Sequence, residues 1–260
     1  MRPFLFHIGS IGVPSFFFMI MVASLAATWV AIKIARREGL SEIAILDLAI
    51  IAITASMIGA RVFHVVVEAP DYYWEKPIRI FYFWKGGFVS LGAFIFTALS
   101  WLIYLRKRKL DIGRYLDVTA NIAPVIIFFV RMGCLLNGCC FGNPTPGWPY
   151  IVFSNPSSTA FAMKYGNVPL HPTQIYFMIN AVVMFFVLLL VRRFRKFYGQ
   201  VGAAFLMYYG VTRFFIEFFR GDEDRGVYFN GAISTGQIVM VLFFAAGVTM
   251  WRWGRKTSHL

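Results

Sequence analysis

The sequence predicts an all-α integral membrane protein of about seven transmembrane helices, with its N-terminus on the outer, periplasmic side and its C-terminus in the cytoplasm. Composition is the first reason. Of the 260 residues 59% are apolar and 14% are charged, and the mean hydropathy is +0.67. Soluble domains average roughly 45–50% apolar and about 25% charged residues. One soluble core of this size has no room for so many apolar side chains, so the bilayer has to solvate much of the chain. The second reason is the set of apolar runs near 13–35, 43–67, 87–105, 116–136, 172–191, 201–219 and 233–251. Crossing ~30 Å of hydrocarbon takes roughly 20 apolar residues. The third run is short, and the fourth and sixth each carry an arginine.

The third reason is where the positive charge falls. The formal net charge is +13, from 25 Lys and Arg against 12 Asp and Glu. Lys33, Arg36 and Arg37 follow the first run; Arg106, Lys107, Arg108, Lys109 and Arg114 the third; Arg192, Arg193, Arg195 and Lys196 the fifth; Arg252, Arg255 and Lys256 the seventh. These segments hold fifteen basic residues, whereas the other aqueous segments hold seven: Arg2, Lys76, Arg79, Lys85, Lys164, Arg220 and Arg225. Cytoplasmic loops carry the excess of Lys and Arg, so the odd-numbered loops and the C-terminus lie inside, a pattern that closes only with an odd number of spans. A basic chain also invites a nucleic-acid reading. Here the charges sit in short blocks between apolar runs and no nucleic-acid-binding motif is present, so no nucleic-acid partner is expected.

The start of the chain, MRPFLFHIGSIGVPSFFF, lacks a charged region followed by a small-residue cleavage site, so the first run reads as a retained helix. Residues 68–86 carry Tyr72, Tyr73, Trp74, Tyr82 and Trp84, side chains that suit a membrane interface. Residues 137–171 are rich in Gly, Pro, Asn and Ser and read as an irregular periplasmic lobe. No internal repeat is detectable, which leaves an inverted-repeat transporter without support. The whole of 1–260 reads as one polytopic domain.

Arg61, Arg131, Arg213 and Glu217 fall inside apolar runs, where an ionisable side chain costs about 2.5–3.5 kcal/mol at mid-span on insertion scales and faces a polar interior. Glu217 follows Arg213 by one helical turn, so the two can pair along one face; Arg220 follows three residues later. One reading is a buried structural ion pair with an interfacial Arg220. The other is a site: arginines on different helices without carboxylate partners need an anion, and in a membrane the ready anion is a lipid phosphate. His171 opens the fifth run with proline in the first helical turn and reads as an interfacial cap or a site residue. His64, three residues after Arg61, reads as a packing or interfacial histidine.

All three cysteines, Cys134, Cys139 and Cys140, fall within seven residues. They admit three readings: small packing residues, redox-active thiols near an oxidising outer face, or metal ligands. The last is the weakest at this stage, because there is no CxxC pair and no second Cys or His cluster at ligand spacing.

Several segments, in order, resemble the bacterial phosphatidylglycerol–prolipoprotein diacylglyceryl transferases over most of the chain. Val13-Pro14-Ser15 leads into a helix ending Ala35-Arg36-Arg37-Glu38-Gly39-Leu40. The second run has Asp47 and then Gly59-Ala60-Arg61-Val62-Phe63, and the third opens with Gly86-Gly87-Phe88 and Gly92. The fourth ends Arg131-Met132-Gly133-Cys134-Leu135-Leu136-Asn137-Gly138, similar to the family's signature of Arg, Gly, Asn and Gly. The fifth and sixth carry His171-Pro172-Thr173-Gln174-Ile175-Tyr176 and Arg213-Phe214-Phe215-Ile216-Glu217-Phe218-Phe219-Arg220.

The resemblance implies seven helices with the N-terminus outside, a multi-pass protein of the bacterial inner membrane, and a reaction. The diacylglyceryl group of phosphatidylglycerol moves to the lipobox cysteine of a prolipoprotein, forming a thioether and releasing glycerol 1-phosphate. It implies that no metal or organic cofactor is needed and that Arg131 and Arg213 act on the phosphate; His171 and Glu217 are the further catalytic candidates, and Arg131, Asn137, Arg61, Gln174 and Arg220 are the expected substrate-binding residues. The chain departs from the family pattern at Leu91, where a histidine or tyrosine proposed to act in catalysis usually stands. It also departs at Cys134 (usually asparagine), Cys139 (usually glutamate) and Phe16 (usually tyrosine). Two other readings compete: a membrane thiol–disulfide protein working through the cysteines, and a non-catalytic phospholipid-binding paralogue.

Overall fold

The computed structural model describes residues 2–8, 11–83, 86–221, 227–228 and 233–257, and these are mostly helical. Each predicted apolar run is a long helix. In chain order the elements are β1 (Phe4–Ile8), β2 (Ile11–Pro14), α1 (Ser15–Glu38), α2 (Glu42–Phe63), α3 (Pro70–Glu75), α4 (Ser90–Lys107) and α5 (Ile112–Asn137). Then come β3 (Ile151–Val152), α6 (Thr159–Ala162), β4 (Pro169–Leu170), α7 (Thr173–Arg193), α8 (Gln200–Glu217), β5 (Val227–Tyr228), β6 (Ile233–Ser234) and α9 (Thr235–Thr257). The strands pair as antiparallel couples, β1 with β2, β3 with β4 and β5 with β6.

Among the described residues, five helical stretches are long and apolar enough to cross a membrane: Ser15–Glu38, Glu42–Glu68, Ile112–Asn137, Thr173–Arg193 and Thr235–Thr257. Only 17–33% of their most apolar stretches is buried inside the protein, so most of those side chains face outward. Outward-facing Phe17, Leu25, Trp29, Ile50, Ile53, Phe186 and Leu242 are the surface that hydrocarbon would cover. Helices α4 and α8 have 18 residues each; α4 ends in Arg106-Lys107, and α8 carries Arg213 and Glu217. They fall short of the five on length and apolarity. The hairpin β1–β2 is an addition to the expected architecture, tied to α1 by the Ser15 N–H donating to the Pro3 carbonyl at 2.8 Å.

The chain divides into two compact units, one of Met1–Ala31 with Gly113–Leu260 and the other of Ile32–Ile112. In the larger, α8 packs along α9 and against α7, around Ala120, Met184, Leu188, Val201 and Ala204. Asp117, buried on α5, caps the start of α8: its Oδ1 accepts from the Val201 and Gly202 N–H groups at 2.9 and 3.1 Å, and Arg195 stands 3.6 Å from its Oδ2. Orphan N–H groups at a helix start are met here by a carboxylate, which also complements the helix dipole. Between α5 and α7, a small core of Phe141, Phe153, Ala160 and Leu170 holds the Gly- and Pro-rich stretch together.

In the smaller unit α2 lies against α4. A Cβ on Gly59 would come 2.5 Å from the Gly92 carbonyl oxygen. Small residues let two backbones approach closely where no hydrophobic drive operates between helices. Gly92→Ala is expected to cost about 1–3 kcal/mol through overpacking, read as a lowered Tm in detergent, while Leu99→Ala on the outward face should leave Tm nearly unchanged. Of the aromatic segment expected at an interface, Trp74 is 82% exposed but Tyr73 is buried. Trp84 and Lys85 lie outside the described residues, as does Arg225.

Candidate active site

Helix α7 buries one stripe, Thr173, Gln174, Phe177, Ala181, Met184 and Leu188, at the three-to-four residue spacing of a single helical face. Its N-terminal end is polar and its C-terminal end apolar. Phe177, fully buried, is the pivot. The Arg131 guanidinium of α5 lies 4.1 Å from its ring centroid and that of Arg213, from α8, lies 4.9 Å away. A cation over an aromatic face is stabilised by the ring quadrupole, most strongly when desolvated. Arg213 pairs with Glu217 one turn along α8. Glu217 in turn stands 3.9 Å from Arg220 and accepts from the Ser234 hydroxyl at 3.2 Å. No carboxylate pairs with Arg131 among the described residues. Arg131 from α5, Arg213 and Glu217 from α8 and Arg220 just beyond it thus form one group with an excess of positive charge.

Helix α5 ends at Asn137, and the next residues turn sharply: Gly138 has φ +72° and Cys140 φ +57°. Thr173 Oγ1 donates to the Cys140 carbonyl at 2.7 Å and Gln174 Nε2 to the Cys139 carbonyl at 2.8 Å, so α7 holds this turn. Asn137 Nδ2 donates to Thr159 Oγ1 at 3.1 Å. Beyond the turn, Gly142 N–H donates to the His171 carbonyl (2.9 Å), His171 N–H to the Asn143 carbonyl (3.0 Å) and Asn143 N–H to the Phe219 carbonyl (2.9 Å). A Cβ on Gly142 would come 2.5 Å from both the His171 Cβ and the Phe219 carbonyl oxygen, so only glycine fits. The His171 ring packs on Phe219 at 5.2 Å between centroids, with its Nδ1 3.2 Å from the Tyr176 hydroxyl. Hydrogen bonds from the Cys134 and Cys139 thiols, together with the charges of Arg131 and Arg220, hold the Cys140 thiol well below the ordinary cysteine range.

The expected site residues fall into two sets. Arg131, Arg213, Glu217 and Arg220 share one cluster, and His171, Gln174 and Asn137 are tied to the Cys139–Asn143 turn beside them. Arg61 belongs to the smaller unit and is 4% exposed. Its Nε donates to the Ile80 carbonyl (2.9 Å), its Nη1 to Gly86 and Gly87 (2.5 and 3.1 Å), and its Nη2 to Arg79 and Tyr82 (2.7 and 3.4 Å). Leu91 is exposed in the first turn of α4. Sequence reasoning missed Phe177, Tyr176, Ser234, Gly142 and Asn143. Nothing in the sequence singled out Phe177, whose burial only the fold reveals.

Long apolar helices whose side chains mostly face outward define a multi-pass membrane protein. The model of the family described as prolipoprotein diacylglyceryl transferase matches residues 3–253. Proteins named phosphatidylglycerol–prolipoprotein diacylglyceryl transferase are similar along nearly their full length. That of Clostridium tetani is 31% identical, covering 95% of this chain and 96% of its own. That of Citrobacter koseri is 29% identical over 98% and 94%, and that of Symbiobacterium thermophilum 29% over 96% and 92%. This chain belongs to the prolipoprotein diacylglyceryl transferase family.

Proposed function

We propose that this protein transfers the diacylglyceryl group of phosphatidylglycerol to the lipobox cysteine thiol of prolipoproteins, forming a thioether and releasing glycerol 1-phosphate. The observation that carries this reading is the pair of guanidiniums over Phe177, one of them, Arg131, with no carboxylate partner among the described residues. In a family whose members are named for phosphatidylglycerol, that charge has a phosphodiester to meet. The C–O bond to the leaving phosphate gathers negative charge as it breaks, and donors already aimed at it stabilise it without reorganising. The family match favours this transfer over a thiol–disulfide role and over a non-catalytic lipid-binding role.

The other residues take their parts from their surroundings. Glu217 holds Arg213 in place and Arg220 adds to the positive field. Gln174 Oε1, buried and without a hydrogen-bond partner among the described residues, is an acceptor suited to a headgroup hydroxyl. Asn137 holds the turn through Thr159. Arg61 has its donors directed at five backbone carbonyls, so we give it the task of holding residues 79–87 rather than a substrate. With Leu91 unable to take a proton, His171 is the base for the incoming thiol, its ring set by Tyr176 and Phe219. General-base contributions are about 10²–10⁴-fold, so His171→Ala should lose at least about 10²-fold in kcat, and Tyr176→Phe much less. An unchanged rate in His171→Ala, measured with a lipobox peptide, removes the assignment.

We infer that the enzyme spans the bacterial inner membrane seven times with its N-terminus outside. The helical state of all seven runs and the basic flanks support this; at about 1.5 Å per residue, the 18 residues of α4 and α8 each rise about 27 Å. The functional reading is tested by complementing a transferase-depleted bacterium and by giving its membranes a synthetic lipobox peptide with phosphatidylglycerol. The expected product is the peptide's diacylglyceryl thioether by mass spectrometry. Peptide left unmodified in both settings overturns the reading.

A further inference from the structure

We propose that Cys134, Cys139 and Cys140 form a binding site for one soft, thiophilic metal ion of the Cu(I) or Zn(II) kind. Their spacing along the chain gives no ligand motif; the fold supplies what the spacing lacks. The three sulfurs all lie within 4.8 Å of one another, and none is in a disulfide. With metal–sulfur bonds of about 2.3 Å, the sulfurs of a three-thiolate site stand about 3.8–4.0 Å apart, so closing on an ion asks for about 1 Å or less per pair.

The arrangement is held from outside the cluster. The Cys139 N–H donates to the Cys134 carbonyl at 3.0 Å and folds the turn back onto the end of α5. Positive φ at Gly138 and Cys140 makes that reversal. Thr173 and Gln174, both fully buried, fix the carbonyls of Cys140 and Cys139. Asn137, the last residue of α5, anchors the start of the turn by donating to Thr159 Oγ1 at 3.1 Å. Packing alone would account for buried Cys134, but Cys139 and Cys140 are only half-buried and open to an entering ion. Sulfur ligands select Cu(I) and Zn(II) over harder cations. Binding displaces the thiol protons and leaves a complex of net negative charge. Arg131 and Arg220, whose charges already act on Cys140, compensate it.

The test uses the full-length protein in detergent, reduced and stripped of metal, titrated in one arm with Zn(II) and in another with Cu(I) under anaerobic conditions. Bound metal is counted after desalting, and thiolate-to-metal absorption is followed in the ultraviolet. One equivalent in either arm, with the accompanying absorption, is the expected result, and the arm that binds more tightly identifies the ion. Cys139→Ser and Cys140→Ser should each weaken binding at least about 100-fold, the upper end of what loss of an outer-shell partner costs. Both are half-buried turn residues, so these two variants serve alongside Cys134→Ser, whose buried site is the more sensitive for folding; metal-free thermal scans check all three. Less than one equivalent in both arms, or wild-type binding by Cys139→Ser and Cys140→Ser, overturns the proposal.

Discussion

Alanine in place of Arg131 or Arg213 is expected to lower diacylglyceryl transfer at least about 10²–10³-fold, the cost of removing one preorganised donor to a developing anion. The loss should fall on kcat more than on KM, because the charge on the departing phosphate is greatest in the transition state. Lysine should restore little at either position. An ammonium lacks the planar fork that meets a phosphate bidentately and that lies flat on an aromatic face, and both guanidiniums here lie over Phe177. The two variants should differ in stability. Among the described residues Arg131 has no carboxylate to abandon, whereas Arg213→Ala strips buried Glu217 of its nearest partner, a loss of about 3–5 kcal/mol for a broken buried pair. Adding Glu217→Gln to Arg213→Ala should therefore recover Tm without recovering activity. Wild-type rates of peptide modification in both single alanine variants would remove the phosphate from this site.

Arg61→Ala should be the most destabilising single change in the smaller unit. Its guanidinium serves the carbonyls of Arg79, Ile80, Tyr82, Gly86 and Gly87, and each of these part-buried hydrogen bonds costs about 0.5–1.5 kcal/mol when lost. The tyrosine and phenylalanine rings around it, Tyr73, Phe83 and Phe88 at 5.2–5.8 Å, lose their cation as well. The expected readouts are a large fall in Tm and faster proteolysis between residues 68 and 89. Lysine should fail to rescue, since one ammonium cannot reach carbonyls spread around a loop. A variant with normal Tm and protection but weakened phosphatidylglycerol binding would return Arg61 to the substrate.

These two arginines show where sequence reasoning works and where it stops. The long helices were legible because hydrocarbon imposes length and apolarity on every residue of a run. The Arg213–Glu217 pair was legible because one helical turn separates its members. Arg61 looked unpartnered because its partners are carbonyl oxygens, which every residue carries and no residue name reveals. Phe177 was hidden among 29 phenylalanines; only the fold says which one stands between two cations. The convergence of the cysteines depends on a turn held by Thr173 and Gln174, more than thirty residues further along the chain. The β1–β2 hairpin and the clamp of Gly142 and Asn143 between His171 and Phe219 are backbone pairings of short, irregular segments, which leave no periodic trace.

The carboxylate of Asp117 sets a condition on how the chain is made. It lies near one end of a spanning helix, and the N–H groups that satisfy it, at Val201 and Gly202, are 84 and 85 residues further on. Synthesis runs from the N-terminus, so Asp117 leaves the ribosome before the N–H groups it caps exist. During that interval Asp117 bears part of the about 2.5–3.5 kcal/mol that a carboxylate costs at mid-span. The arrival of α8 supplies the N–H partners that Asp117 has in the finished protein. A contact that caps one helix in the finished protein acts, during biosynthesis, as a latch that closes late.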